Sequence, residues 1–245
     1  MKKIIPLLFI IVLYACNKNN SSPYSLPDSY SNQSLGASAN DLLSAKRYSS
    51  IHIQIQYMPG YEPDPAVITN LSNFLNSVCN KPGGISVEES QIAANGANLT
   101  VNDVSVIEKQ ERTAYTNGST LDVYVLITDG EDTSTSILGV AYRNTSVCLY
   151  GKTIYSNSGG FGQVSRPSLE STVLEHEFGH LLGLVNIGSP MQTNHIDAAH
   201  GNHCNNQDCL MYYAVESKLS IGSLGSSIPQ LDSNCLSDLH ANGGK

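Results

Sequence analysis

The segment His176-Glu177-Phe178-Gly179-His180 contains the residue types and spacing most suited to chemistry in this sequence. Side chains four positions apart on a helix lie one turn above the other, so the two imidazoles would point the same way. Such a pair suits zinc, which histidine binds at about 2.0–2.1 Å. Glu177 would lie about 100° around the helix from His176 and serve as general base toward a zinc-activated water. The segment therefore predicts a hydrolytic zinc site.

The helix that must carry this motif is indicated by a second set of side chains. From Ser168 onward the apolar residues follow the spacing i, i+4, i+7, i+8 and i+11, which is typical of a stripe facing a protein core. These residues are Leu174, Phe178, Leu181, Leu182 and Val185. The two histidines lie off the stripe but on a helix that must be half buried. Two solvated histidines on a surface helix are the alternative, and this burial argues against it.

Zinc needs a third protein ligand, and two family patterns bear on its identity. His176 to Gly183 resembles the metzincin clan of zinc peptidases, in which a third histidine follows the glycine by three residues. Asn186 stands there, and an amide oxygen is a poor zinc ligand. The sequence from His203 to Met211 is similar to the archaemetzincin pattern, in which a histidine is followed by Cys, four residues, Cys, one residue and Met. This resemblance implies His203 as third ligand, after an insertion at residues 186–202.

Several alternatives for the histidine-rich insertion stay open. His195 and His200 are the other candidates for the third ligand, besides Asn186. A separate second metal site built from His195, Asp197, His200 and His203 is a further, less favoured hypothesis.

The same resemblance suggests roles for two residues that follow His203. Met211 would form the Met-turn beneath the zinc, a packing role that an ordinary core methionine would share. Tyr213 matches the position where some metzincins place a tyrosine that hydrogen-bonds the transition-state oxyanion. Simple packing of Tyr213 is the alternative.

The cysteines depart from the archaemetzincin pattern. That family adds a downstream Cys-x-x-Cys pair and uses four thiolates for a second zinc, whereas only Cys235 follows Cys209 here. The departure argues against a second zinc. In an oxidising compartment we expect Cys204 and Cys209 to form a small disulfide loop. The sequence leaves open how Cys79, Cys148 and Cys235 pair.

The elements that must position the motif predict an α/β domain with a mixed sheet over residues 46–245. Strands are expected at 51–58, 85–87, 121–127, 138–142 and 146–150, and helices at 64–78, 102–113, 168–185 and 230–241. The resemblance adds a metzincin-like zincin fold, with a twisted sheet, an active-site helix, a Met-turn and a C-terminal helix. In metzincins an edge strand binds extended substrate, and residues 138–142 or 146–150 would supply it.

The N-terminal residues predict export. Residues 1–15 combine a basic start with a short apolar stretch, which is typical of a signal peptide. The sequence Leu13-Tyr14-Ala15-Cys16 resembles a bacterial lipobox and implies lipidation of Cys16, with plain secretion as the alternative. The Ser- and Asn-rich residues 16–45 are expected to be a flexible tether. The expected location is the bacterial cell envelope, at the outer membrane.

Composition and net charge argue against some classes of binding partner. The 245 residues carry a formal charge of −8, which argues against nucleic acid or an anionic bilayer surface as the main partner. The favoured hypothesis is a monomeric, membrane-tethered zinc endopeptidase that acts on polypeptides. One alternative is a non-catalytic surface lipoprotein that binds protein or glycan. Another is a zinc peptidase with Glu216 as third ligand.

Overall fold

A computed structural model describes residues 25–134, 136–216 and 227–245 of the chain. Five strands form its sheet: β1 (Ser50–Tyr57), β2 (Gly84–Gln91), β3 (Thr120–Thr128), β4 (Gly139–Arg143) and β5 (Ser146–Tyr150). The helices are α1 (Ala39–Leu43), α2 (Pro65–Val78), α3 (Val101–Glu111), α4 (Gly151–Ser156), α5 (Arg166–Leu181) and α6 (Ser233–Ala241). Within the described residues, no helix is long and apolar enough to span a bilayer.

The sheet is mixed, as predicted. Its strand order is β2-β1-β3-β5-β4. All neighbouring strands are parallel except β4, which runs antiparallel to β5 at one edge. The apolar strand predicted at residues 121–127 is the central strand β3, and every residue after Thr120 in it is buried. The continuous burial explains why its sequence does not alternate between apolar and polar residues.

Capping side chains start three of the predicted helices close to their expected first residues. The Asp64 side chain accepts a hydrogen bond from the Ala66 amide at 2.9 Å at the start of α2. Thr100 and Asp103 form a reciprocal capping box at the start of α3. The C-terminal helix α6 begins at Ser233, because Asp232 caps it. Helix α4 was not predicted, since six residues are too few to show a helical period.

Helix α5 packs closely against the edge strand β4. A Cβ atom on Gly139 would lie 2.6 Å from a methyl carbon of Val173 and 3.1 Å from Cγ of Glu177. Both distances are shorter than carbon atoms normally allow, so only glycine permits this approach. The contact places the carboxylate of Glu177 beside the open edge of the sheet.

The prediction of a flexible tether is wrong for residues 25–45. This stretch contains a short 3-10 helix (Tyr30–Asn32) and α1, and the side chains of Leu42 and Leu43 are buried in the main core. The Lys81 ammonium holds the end of α1 by donating to the carbonyls of Asp41 and Ser44 at 2.6 and 2.7 Å. A pair of leucines shows no periodicity, so the sequence pattern could not reveal the packing. The predicted signal peptide and Cys16 lie outside the described residues.

We predict that Leu42→Ala destabilises the protein, because it opens a cavity in the core. The expected loss in the free energy of unfolding is about 2–5 kcal/mol, measured by urea unfolding of the full chain. Lys46→Ala, at an exposed site a few residues away, is the control and should have little effect. Equal stability of the two variants would contradict the packed arrangement of this segment.

Candidate metal centre

Helix α5 carries the histidine motif and is buried along most of its length. It begins at Arg166, where the Ser165 hydroxyl accepts a hydrogen bond from the Ser168 amide at 3.3 Å. Every residue from Leu169 to Leu181 is buried. The ring centroids of His176 and His180 lie 4.8 Å apart. The two imidazoles therefore lie one turn apart, as the spacing predicts.

His203 brings a third imidazole to this pair. Its ring centroid lies 5.4 Å from that of His176 and 5.2 Å from that of His180. One nitrogen from each ring can be chosen so that all three lie within 4.8 Å of one another. We call His176, His180 and His203 the histidine triad. The structure thus unites the two motif histidines with the third ligand that the archaemetzincin resemblance implied.

Backbone carbonyls orient two rings of the triad. Nδ1 of His176 lies 2.7 Å from the carbonyl oxygen of Leu210, and Nδ1 of His203 lies 2.8 Å from that of His200. A carbonyl only accepts, so each Nδ1 carries the proton and each Nε2 keeps its lone pair. Histidines that bind metals are held in this way. Three imidazole nitrogens beside an open cavity fit a catalytic zinc ion.

Glu177 lies next to the triad and is completely buried. Its Oε2 atom accepts a hydrogen bond from the Ala141 amide of β4 at 2.7 Å. Together with His180 and His203 it lines a cavity of about 290 Å³. Apolar side chains of Leu35, Val140 and Ile187 line the same cavity. The carboxylate is therefore fixed at the cavity that two of the triad histidines also line.

Two further carboxyl groups of α5 have perturbed acidities. Burial raises the pKa of Glu170 and of Glu175 to about 7. Neither residue is among those that line the triad cavity. Sequence reasoning did not single them out, because an acidic residue in a helix gives no sign of its burial.

The chain leaves α5 through a tight turn and returns in a closed loop. Gly183 has a φ of +78°, and a Cβ there would lie 2.5 Å from the Ser189 amide nitrogen. Val185 and Asn186 also adopt positive φ values, 52° and 66°. The Asn202 side chain then donates to the Val185 carbonyl at 3.2 Å, which closes the loop just before His203. Asn186 lies in this turn and is not among the residues that line the triad cavity.

Met211 packs directly beneath α5. A Cβ on Gly179 would lie 2.3 Å from the Met211 sulfur, so the glycine of the motif makes room for this side chain. Met211 is completely buried. Its position agrees with the packing role expected of the Met-turn.

Tyr213 and His200 lie at the side of the cavity. Their rings stack with centroids 3.5 Å apart, and Nδ1 of His200 lies 2.6 Å from Oδ2 of Asp197. His200 lines the cavity but is not part of the triad. The catalytic role of Tyr213 stays a prediction. Glu216 ends a 3-10 helix (Tyr213–Glu216), and its side chain lies outside the described part of the chain.

The predicted Cys204–Cys209 disulfide is not formed; both thiols are free and buried. The Cys204 sulfur lies instead 3.4 Å from Nδ1 of His195, and the Cys209 sulfur lies 3.7 Å from that of Cys235. His195 therefore belongs not to the triad but to a separate group with Cys204, Cys209 and Cys235, which we call the thiol cluster. Sequence reasoning missed this cluster, because His195 and Cys235 meet only through the tertiary fold. Cys79 and Cys148 are also free and buried.

Comparisons with known proteins identify the fold. No family model and no curated protein matches the chain. The solved structure of archaemetzincin from Methanopyrus kandleri matches 80% of this chain and 97% of that chain, with a TM-score of 0.50 and 14% identity. Metalloproteinase-II from Bacteroides fragilis matches 81% of this chain at 15% identity with a TM-score of 0.43, and the match spans 54% of that chain. The chain thus has an archaemetzincin-like zincin fold.

Proposed function

We propose that the protein is a zinc-dependent endopeptidase. One observation carries the proposal: three imidazoles offer nitrogens within 4.8 Å of one another, and a buried carboxylate lines the cavity that two of these imidazoles also line. The similar archaemetzincin fold supports it. His176, His180 and His203 are assigned as the zinc ligands. When bound, zinc polarises a peptide carbonyl and makes a water molecule easier to deprotonate.

Glu177 is assigned as the proton carrier of the reaction. The Ala141 amide holds Oε2, so the carboxylate has a fixed orientation toward the cavity. Its Oε1 atom accepts the proton of the attacking water and then delivers it to the leaving amine nitrogen. Burial of the carboxylate limits the water that competes for the proton.

The substrate class follows from the position of β4. This strand lies at the edge of the sheet, and its Val140 and Ala141 line the triad cavity. An extended polypeptide can pair with such an edge by adding a strand. The apolar side chains of Leu35 and Ile187 would then receive an apolar substrate residue. The substrate we propose is therefore an unfolded or extended segment of protein.

The cellular setting is part of the same proposal. Export by residues 1–15 and lipidation of Cys16 would place a monomeric enzyme on the bacterial cell envelope, at the outer membrane. The folded part of the described chain begins close to Leu26, which is already buried. Only about ten residues would then separate the lipid from the domain, a span of at most about 35 Å. The domain would therefore work close to the membrane surface.

Glu177→Gln should abolish cleavage of an unfolded protein while zinc stays bound. Glutamine retains an oxygen for the Ala141 amide but cannot accept a proton, so the expected fall in kcat is about 10²- to 10⁴-fold. Glu175→Gln, on the same helix but away from the cavity, is the matched control. If zinc-loaded wild type cleaves no faster than Glu177→Gln, the non-catalytic alternative is favoured.

His203→Ala should remove one zinc ion per chain and the peptidase activity, because two imidazoles alone hold zinc weakly. Metal content after dialysis and cleavage rate are the measurements. His200→Ala is the control at the same cavity and should retain the ion. The opposite pattern, with zinc lost from Glu216→Ala and kept by His203→Ala, would assign the third ligand to the glutamate.

Tyr213→Phe tests the oxyanion role. Loss of one donor to the transition state should lower kcat by about 10²-fold or more and leave KM nearly unchanged. The phenyl ring retains the stacking on His200, so the cavity wall stays in place. Tyr212→Phe, at the neighbouring tyrosine, is the control. An unchanged kcat in Tyr213→Phe would reduce this residue to packing.

A further inference from the structure

A second group of side chains that could bind a metal ion lies next to the histidine triad and is not used by the proposed peptidase reaction. Donor atoms of His195, Cys204, Asp232 and Cys235 all lie within 4.8 Å of one another. The sulfur of Cys209 lies 3.7 Å from that of Cys235. The histidine and the three cysteines are at most 1% exposed.

We propose that His195, Cys204, Cys209 and Cys235 form a closed zinc site with three thiolates and one imidazole. The cysteine pattern alone argues against a second zinc, because a fourth cysteine is missing, whereas the folded chain brings a histidine to the three thiols. Asp238 stands three residues after Cys235, where the second member of a Cys-x-x-Cys pair would be. His195, from the insertion at residues 186–202, fills the place of the absent thiolate. The donor set is therefore specific to this chain.

The distances between donor atoms match a tetrahedral zinc ion. With Zn–S bonds of about 2.3 Å and a Zn–N bond of about 2.0 Å, tetrahedral geometry requires about 3.8 Å between sulfurs and about 3.5 Å between nitrogen and sulfur. The Cys209 and Cys235 sulfurs are 3.7 Å apart. Nδ1 of His195 lies 3.4 Å from the Cys204 sulfur and 3.9 Å from that of Cys235.

Asp238 orients His195 for metal binding. Its Oδ2 atom lies 2.8 Å from Nε2 of the imidazole and accepts the proton there. Nδ1 consequently presents its lone pair to the sulfurs. Oδ1 of Asp238 accepts from the Gln192 amide at 2.6 Å, which fixes the buried carboxylate. A carboxylate behind a histidine is the usual support of a metal-binding imidazole.

Cys209 lies in an environment that stabilises its thiolate, the form that binds metals. Its sulfur accepts hydrogen bonds from the backbone amides of Met211 at 3.5 Å and Asp232 at 3.4 Å.

Asp232 acts as a helix cap, although one of its oxygens lies within 4.8 Å of the donor atoms of His195, Cys204 and Cys235. Its Oδ1 atom accepts from the Cys235 amide at 2.9 Å and caps α6. Its Oδ2 atom accepts from the Asn206 side chain at 3.1 Å. The carboxylate thus fixes the loop that carries Cys204 and Cys209 to the start of α6. Cys209, whose hydrogen bonds suit a thiolate, is the fourth ligand that we assign.

The proposed zinc site would stabilise the chain segment that carries the third histidine of the triad. Cys204 directly follows His203, and its amide donates to the carbonyl of Met211 at 2.8 Å. A metal held by Cys204 and Cys209 would therefore fix the segment that presents the third histidine and the buried methionine. With all four positions taken by protein, its role would be structural.

The test isolates this site from the triad. We take the full chain with the double substitution His176→Ala and His180→Ala and load it with zinc or with cobalt. We expect one zinc ion per chain, three sulfurs and one nitrogen in its X-ray absorption spectrum, and a sulfur-to-cobalt charge-transfer band with cobalt. Because the triad is removed, this result does not depend on the proposed peptidase activity.

Further substitutions in the same background assign the ligands. Cys235→Ser should abolish the charge-transfer band, whereas His195→Cys should keep the metal and change the spectrum to four sulfurs. Asp238→Asn should weaken zinc binding about tenfold or more without changing the sulfur count. Cys79→Ser, at a buried cysteine outside the cluster, is the control and should bind as its parent does.

Three results would overturn the proposal. The first is no zinc and no charge-transfer band in a folded double variant. The second is a spectrum with two sulfurs and additional oxygen, which would replace Cys209 by Asp232. The third is a Cys209–Cys235 disulfide in the protein purified without reductant, detected as two missing free thiols, together with no bound metal.

Discussion

The structure depends on one constraint: the helix that carries His176 and His180 is buried on nearly all sides. A buried imidazole must have hydrogen-bonding or metal partners, since its desolvation is otherwise uncompensated. The Leu210 carbonyl provides one such partner for His176. The helix also needs two glycines to fit, Gly139 toward the sheet edge and Gly179 toward Met211. Those two close approaches bring β4 and the methionine turn to opposite sides of the same short segment.

Consecutive residues connect the triad to the thiol cluster. His203 contributes to the triad, whereas Cys204 contributes to the cluster with His195. Cys204 forms an isolated β-bridge with Ile196, so the backbone is locally extended. Neighbouring side chains on an extended backbone point to opposite sides. This short extended segment can therefore place His203 in the triad on one side and Cys204 in the thiol cluster on the other.

Much of this arrangement could be predicted from the sequence. Helix α5, the central strand β3 and helix α2 with its cap Asp64 follow from periodicity and a local capping residue, which act over a few positions. The third histidine came from a resemblance and not from periodicity, because residues 186–202 separate it from the motif. His203 lies near the helix because of how the loop between them folds, and no local sequence pattern shows this.

The errors in the prediction also have physical causes. Proximity in the chain predicts a Cys204–Cys209 disulfide, but both thiols are free in the fold, and the Cys209 sulfur also lies 3.7 Å from that of Cys235 on α6. The polar composition of residues 16–45 predicts a tether, although Leu42 and Leu43 are buried in the main core. Local composition carries no information about contacts with distant elements of the fold.

The central claim is that the histidine triad binds one zinc ion, and a crystal structure of the zinc-loaded full chain tests it most directly. Anomalous scattering at the zinc absorption edge should give a peak about 2.0–2.1 Å from one nitrogen each of His176, His180 and His203. A well-ordered triad with no peak at full zinc loading, or a peak whose third protein ligand is another residue, would contradict the account.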